Sequence, residues 1–126
     1  MAAMSRCPCG SGLSAEECCD RFLAGPASAP TAEALMRSRY TAYVRRDGDY
    51  LRRTWHASTR PRRITFEDGL RWTGLDVLDR SGGSLFDVDG TVTFDAHFTI
   101  GGRRDTLHEV SRFVREDGEW RYVGPL

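Results

Sequence analysis

Hydrophobic spacing changes its period once along this chain, near Leu70. Before it, apolar residues recur at helical intervals. Met36, Tyr40, Tyr43 and Val44 fall at i, i+4, i+7 and i+8, with Leu35 widening the stripe. Thr31, after Pro30, is placed to cap this helix, and Thr31 through Arg46 contains neither Gly nor Pro. Asp47-Gly48-Asp49 predicts a stop at Gly48 and a cap for a second helix from Tyr50 to about His56, with Leu51 and Trp55 on one face. Ser58-Thr59-Arg60-Pro61 breaks it, and residues 62–69 have room for a third helical turn.

Beyond Leu70 the period becomes two. Trp72 to Asp79 reads as a strand ended by Ser81-Gly82-Gly83. Val92, Phe94, Ala96, Phe98 and Ile100 alternate with Thr91, Thr93, Asp95, His97 and Thr99, the mark of a half-buried strand. Gly101-Gly102 turns the chain, Leu107 to Arg115 returns it, and Asp117-Gly118 makes a hairpin with Trp120 to Val123. Two or three helices followed by a four-stranded antiparallel meander define an α+β domain. Such a sheet curls, and helices laid over its concave face leave a cone-shaped pocket.

The cysteines change this picture. All four lie within the first nineteen residues, as Cys7-Pro8-Cys9-Gly10-Ser11-Gly12 and Cys18-Cys19. Clustering places four soft ligands within reach of one tetrahedral ion, and thiolate sulfur suits Zn²⁺. Pro8 restrains the backbone between two ligands, and Gly10, Ser11 and Gly12 permit a tight turn whose N–H groups can face sulfur. Ser14 and Glu17 have capping-box spacing, predicting a short helix that delivers Cys18 and Cys19 from its last turn. The same residues admit two other readings, a pair of disulfides in a secreted domain or four free thiols.

Met1 to Arg6 contains no apolar run of a signal peptide, and no stretch approaches the ~20 apolar residues of a membrane span. The cytoplasm is therefore the expected compartment, where reduced thiols favour metal over disulfide. With 126 residues, the chain is one domain plus an appendage. Residues 1–25 form the cysteine knuckle, too short to bury a core alone. The small, Pro- and Gly-rich stretch Ala24 to Pro30 marks the connection, with 26–30 as linker and 31–126 as the main domain.

Net charge is zero, and all 18 basic residues are Arg. Residues 37–63 hold nine of them against only Asp47 and Asp49, while residues 64–126 are acidic. This basic edge could meet phosphates or an acidic partner, or be a solvated helix face.

Cys-Pro-Cys-Gly-Ser-Gly followed by Cys-Cys resembles a SEC-C motif, the zinc knuckle also found at the C-terminus of the translocase motor SecA. The order of elements after it resembles the NTF2-like (cystatin-like) fold. Together with Leu35-Met36-Arg37-Ser38-Arg39-Tyr40, Thr54-Trp55-His56, Trp72-Thr73-Gly74-Leu75 and Leu107-His108-Glu109-Val110-Ser111-Arg112-Phe113, the chain is similar to the YchJ (UPF0225) family over nearly its whole length. The resemblance implies a curled antiparallel sheet with N-terminal helices, and Cys7, Cys9, Cys18 and Cys19 as ligands of a structural Zn²⁺. It implies no particular activity.

The fold expected from this resemblance hosts enzymes and binding modules alike, so function must come from sites. On the 107–115 strand, Glu109 shares a face with Leu107, Ser111 and Phe113, while His108 and Arg112 share the other. One of these sets should point into the pocket. Glu109 could pair with Arg37 or Arg39, as a buried ion pair or the floor of a polar-ligand site. His56 could be a general base at the pocket mouth or a helix-end residue favoured by the dipole. Tyr40, Tyr43 and Trp55 complete the pocket candidates and suit core packing equally well. No Ser-His-Asp order or phosphate loop nominates a catalytic residue. The leading expectation is a zinc-knuckle protein that docks on another protein. A small-molecule binder or enzyme using the pocket comes second, and nucleic-acid contact through residues 37–63 a distant third. A homodimer through the exposed sheet face is compatible with each.

Overall fold

The computed structural model describes residues 6–25 and 27–126. Met1 to Ser5, read above for export signals, and Pro26 of the expected linker lie outside them. Three helices precede four strands: α1 (Asp20–Leu23), α2 (Ala32–Arg45), α3 (Gly48–Arg53), β1 (Leu70–Gly82), β2 (Asp89–Ile100), β3 (Arg103–Glu116) and β4 (Glu119–Pro125). The strands form one antiparallel sheet in the order β1-β2-β3-β4, so the meander and the α+β class stand as expected.

Local chemistry sets the helix ends. Thr31 is extended, and its hydroxyl accepts from Ala34 N at 3.1 Å, capping α2. The left-handed residue closing α2 is Arg46, with φ 56°, and not Gly48, which opens α3. Asp47 caps α3 by accepting from Tyr50 N at 3.1 Å. The second helix is shorter than its spacing predicts. Tyr122 N donates to Thr54 O and His56 N to Tyr122 O, each at 2.8 Å, so Trp55 and His56 leave the helix and cover the β4 edge. Residues 62–69 hold bends and a turn but no helix.

The Ser14–Glu17 capping contacts form, with Glu17 N donating to Ser14 Oγ at 3.3 Å and Ser14 Oγ to Glu17 Oε1 at 3.0 Å. They close turns and start no helix. Cys18 and Cys19 come before α1 and do not end a helix. Phe22 of α1 packs with Ala42, Tyr50 and Leu51, and Arg53 donates to the Phe22 and Leu23 carbonyls at the end of α1.

The sheet curls because its ladders are interrupted. β1 slips register against β2 between Trp72 and Gly74 and again between Val77 and Asp79, and β3 against β4 between Arg112 and Phe113. Each extra residue bends its strand and sharpens the twist. Plain alternation would put Trp72 and Leu75 on opposite faces. The first slip brings both inward, where Leu75 is buried and Trp72 packs against the core. The core between α2 and the sheet holds Leu35, Met36, Tyr40, Val92, Phe94, Phe113 and Trp120, and runs without a break into Cys7, Cys9, Cys18 and Cys19.

Candidate metal centre and cavity

The turn from Cys7 to Cys19 folds back on itself. Cys7 N donates to Leu13 O at 2.9 Å, Gly10 N to Cys7 O at 3.1 Å and Cys18 N to Ala15 O at 3.2 Å. Gly10 and Gly12 adopt φ of 80° and 89°, which the reversal requires. The result brings all four Sγ atoms within 4.8 Å of one another, each buried. Cys9 and Cys18 Sγ are 3.5 Å apart, Cys18 and Cys19 Sγ 3.9 Å. A disulfide would hold its sulfurs at about 2.05 Å. Four thiolates around one tetrahedral ion, with metal–sulfur bonds of about 2.3 Å, would stand about 3.8 Å apart. The four cysteines are thus free thiols with spacing that suits a metal ion.

Surrounding donors fit the same purpose. Ser11 Oγ donates to Cys18 Sγ at 3.1 Å, and Thr41 Oγ1, from the buried side of α2, lies 3.6 Å from Cys7 Sγ. Hydrogen bonds from the Cys19 thiol and from Ser11 pull the Cys9 thiol down to about 4, despite burial. Donation to Cys9, with burial, drives the Cys19 thiol upward, and burial raises Cys18. These donors favour a thiolate at Cys9, the form in which a cysteine ligates a cation.

Arg37 belongs to this centre and not to the pocket for which it was a candidate. Its Nη1 donates to Cys9 O at 2.8 Å and its Nε to Glu33 Oε2 at 2.9 Å, tying the knuckle to α2.

A cavity of about 210 Å³ lies between α2 and the inner sheet face. Of the pocket candidates, Arg39, Tyr40, Tyr43 and Glu109 line it. The Glu109 face of β3 is the inward one, and Phe113 and Leu107 join it there. Trp55 stands behind the wall, edge-on to Tyr122 with centroids 5.1 Å apart. Three candidates are excluded by their partners. His56 bonds to Ser58 and Glu116 outside the cavity, His108 to Asp95 on the outer sheet face, and Arg112 lies exposed on that face, because β3 alternates. Phe94 lines the cavity from the apolar face its alternation predicts, and Trp72 and Tyr122 also line it, although spacing alone does not nominate them. Trp72 escapes because the β1 slip reverses its phase, and Tyr122 because the short 120–123 strand carries no alternation that fixes its face.

No ion pair joins Glu109 to Arg37 or Arg39 among the described residues. Arg39, only 5% exposed, donates through Nη1 to Leu51 O at 2.8 Å and Thr54 Oγ1 at 2.7 Å. Its guanidinium packs against the rings of both Trp55 and Tyr122, 4.9 and 4.5 Å from their centroids. Burial lowers Arg39 to about 10, which leaves it cationic at neutral pH. Glu109 Oε2 accepts from Ser111 Oγ and, at 3.0 Å, from the Tyr122 hydroxyl. Burial, then the Glu109 charge, holds the Tyr122 phenol well above its ordinary value.

The basic stretch is largely engaged in the fold. Besides Arg37 and Arg39, Arg45 pairs with Asp20, Arg53 holds α1, and Arg52 and Arg60 donate to the Pro61 and Trp55 carbonyls.

Residues 31–125 match the model of the YchJ middle NTF2-like domain. The chain belongs to the YchJ family. A UPF0225 protein of Streptomyces coelicolor is 57% identical over 117 residues, covering 93% of this chain and 91% of the relative. One of Chromobacterium violaceum is 48% identical over 128 residues, covering 98% and 94%. The solution structure of a SEC-C motif containing protein from Rhodopseudomonas palustris superimposes with a TM-score of 0.81 at 36% identity, covering 95% of this chain and 96% of that one. The crystal structure of a SEC-C motif containing protein from Psychrobacter arcticus shares the fold, with a TM-score of 0.78 at 24% identity, covering 94% and 80%. In this YchJ chain, both the NTF2-like fold and a SEC-C type cysteine cluster are thus present. Among its described residues, no helix is long and apolar enough to cross a membrane.

Proposed function

We propose that this YchJ chain is a zinc-binding accessory protein. Its knuckle holds a structural Zn²⁺ on Cys7, Cys9, Cys18 and Cys19 and presents a docking loop to a protein partner. The observation carrying this reading is the arrangement of four buried thiols at mutual distances suited to one tetrahedral ion. Four protein ligands leave no open position, as in a structural site. The docking element would be the outer turn, where Leu13 is 48% exposed beside the exposed acids Glu16 and Glu17. That combination suits a partner with an apolar pocket rimmed by basic groups.

Native mass spectrometry of chelator-free protein should show one Zn²⁺ per chain, lost in Cys18→Ser. Leu13→Asp should keep the metal yet lose a partner recovered by the wild-type chain. A zinc-free wild-type chain would overturn the first half, and undiminished recovery with Leu13→Asp the second.

The cavity favours a second reading, as a small-molecule binding site. A buried arginine and a carboxylate both line an otherwise mainly apolar space without pairing to each other, and each keeps hydrogen-bonding capacity.

A further inference from the structure

Taking the cavity as a small-molecule binding site, the reading on which its ligand class depends, we infer that it receives a neutral single-ring aromatic molecule with an amide-type edge. The carbonyl of that edge is received by Arg39 and its N–H by Glu109.

Size sets the first bound. An apolar cavity of about 150 Å³ accommodates benzene. At about 210 Å³ this one holds a ring and a small substituent. The walls set the second. Tyr40, Tyr43, Trp72, Phe94 and Phe113 surround the space with ring faces and edges. Tyr40 and Trp72 already meet edge-on at 6.1 Å, and Trp72 and Phe98 at 5.4 Å, the geometry by which aromatic rings accept another ring.

The polar groups decide the rest. Arg39 is held in place, because the Trp55 and Tyr122 rings pack against it and Nη1 is committed to Leu51 O and Thr54 Oγ1. Its Nε and Nη2 make no further close hydrogen bond among the described residues, and the Tyr43 hydroxyl on the same wall is the one protein group near enough to share them. Glu109 is fixed through Oε2 by Ser111 and Tyr122, and Oε1 has no protein donor among the described residues. The cavity therefore offers one spare donor group and one spare acceptor, of opposite charge. A carboxylate would satisfy Arg39 and be repelled by Glu109. A cation would do the reverse. A primary amide satisfies both without net charge, so neither buried group is left unpaired.

Benzamide, benzoate and benzamidine share one shape and differ only in this edge. Titrated into the metal-loaded full chain by protein-observed NMR, with toluene as an apolar probe, benzamide should bind about tenfold tighter than either charged analogue, one unpaired or repelled group being worth about 1.4 kcal/mol. Shift changes should map to Trp72, Leu107 and Phe113. Glu109→Gln removes the negative charge, and benzoate should then overtake benzamide. The wild-type ranking needs no variant, so misfolding of Glu109→Gln would not spare the inference. Toluene binding with benzoate or benzamidine equal to benzamide would overturn the ligand class and leave the binding-site reading intact. Exclusion of toluene and all three analogues would overturn both.

Discussion

Thr41→Val probes the link between the knuckle and the main domain with a change of one atom's chemistry. Thr41 is fully buried in α2, and its Oγ1 lies 3.6 Å from Cys7 Sγ. Valine keeps the branched shape and replaces the hydroxyl by a methyl, so packing is nearly preserved. In the metal-loaded state Cys7 is a thiolate, and a hydrogen bond to a charged acceptor contributes about 1.5–3 kcal/mol. At about 1.4 kcal/mol per decade, its loss should weaken metal binding by about ten- to a hundredfold, the range seen when groups supporting a metal ligand are removed. Without metal the contact has no ligating thiolate to support and is worth an ordinary hydrogen bond, about 0.5–1.5 kcal/mol, partly offset by the added apolar burial. The melting temperature of the metal-free protein should therefore move little. Competition against a chromophoric zinc chelator at constant pH reads the affinity, and thermal melts of chelator-treated protein supply the control. Thr41→Ser, which retains the hydroxyl, should stay close to wild type. Zinc affinity of Thr41→Val within twofold of wild type would refute the reasoning, because it would mean that the Thr41 hydroxyl contributes no support to the cluster.

Two further predictions test the fold around the cavity. All four tyrosines, Tyr40, Tyr43, Tyr50 and Tyr122, are raised above their ordinary value, burial being the largest cause in each, with Tyr40 at about 12. In the folded protein tyrosinate absorbance at pH 10 should thus be well below that of the unfolded chain, where half would ionise. The neutral phenols are favoured by folding, so this stability is present below pH ~10 and lost as pH rises through the folded values; a normal titration of even one tyrosine would contradict its burial. Gly90→Ala should destabilise by about 1–3 kcal/mol in chemical denaturation, since a Cβ there would meet Gly83 N at 2.4 Å and Gly83 Cα at 2.6 Å, backbone atoms that cannot yield as a side-chain tip does. An unchanged midpoint would mean that the β1–β2 end of the sheet opens freely.

Short-range chemistry accounts for what could be read directly. The order of helices and strands follows from period and turn residues, which act over a few positions. Thr31 as cap, the alternation of Val92 to Phe98 and the Gly101-Gly102 turn therefore appear where spacing places them. The cysteine cluster was equally legible, because Cys7 to Cys19 are close in sequence and can only meet one another. Spacing overestimates the second helix because Trp55 and His56 gain more from pairing with β4, far along the chain at Tyr122, than from one more helical turn.

Fold class and the four-cysteine cluster follow from the chain's own spacing, because both are set by neighbours along the backbone. Which polar residues share the cavity was decided only in three dimensions. Arg37 and Arg39 are two positions apart on one helix, yet one braces the knuckle and the other lines the cavity with Glu109, because residues two apart lie about 200° round α2, on opposite sides covered by different elements. Trp72 enters the cavity through a single slip of register, an event that exists only once β1 has found β2.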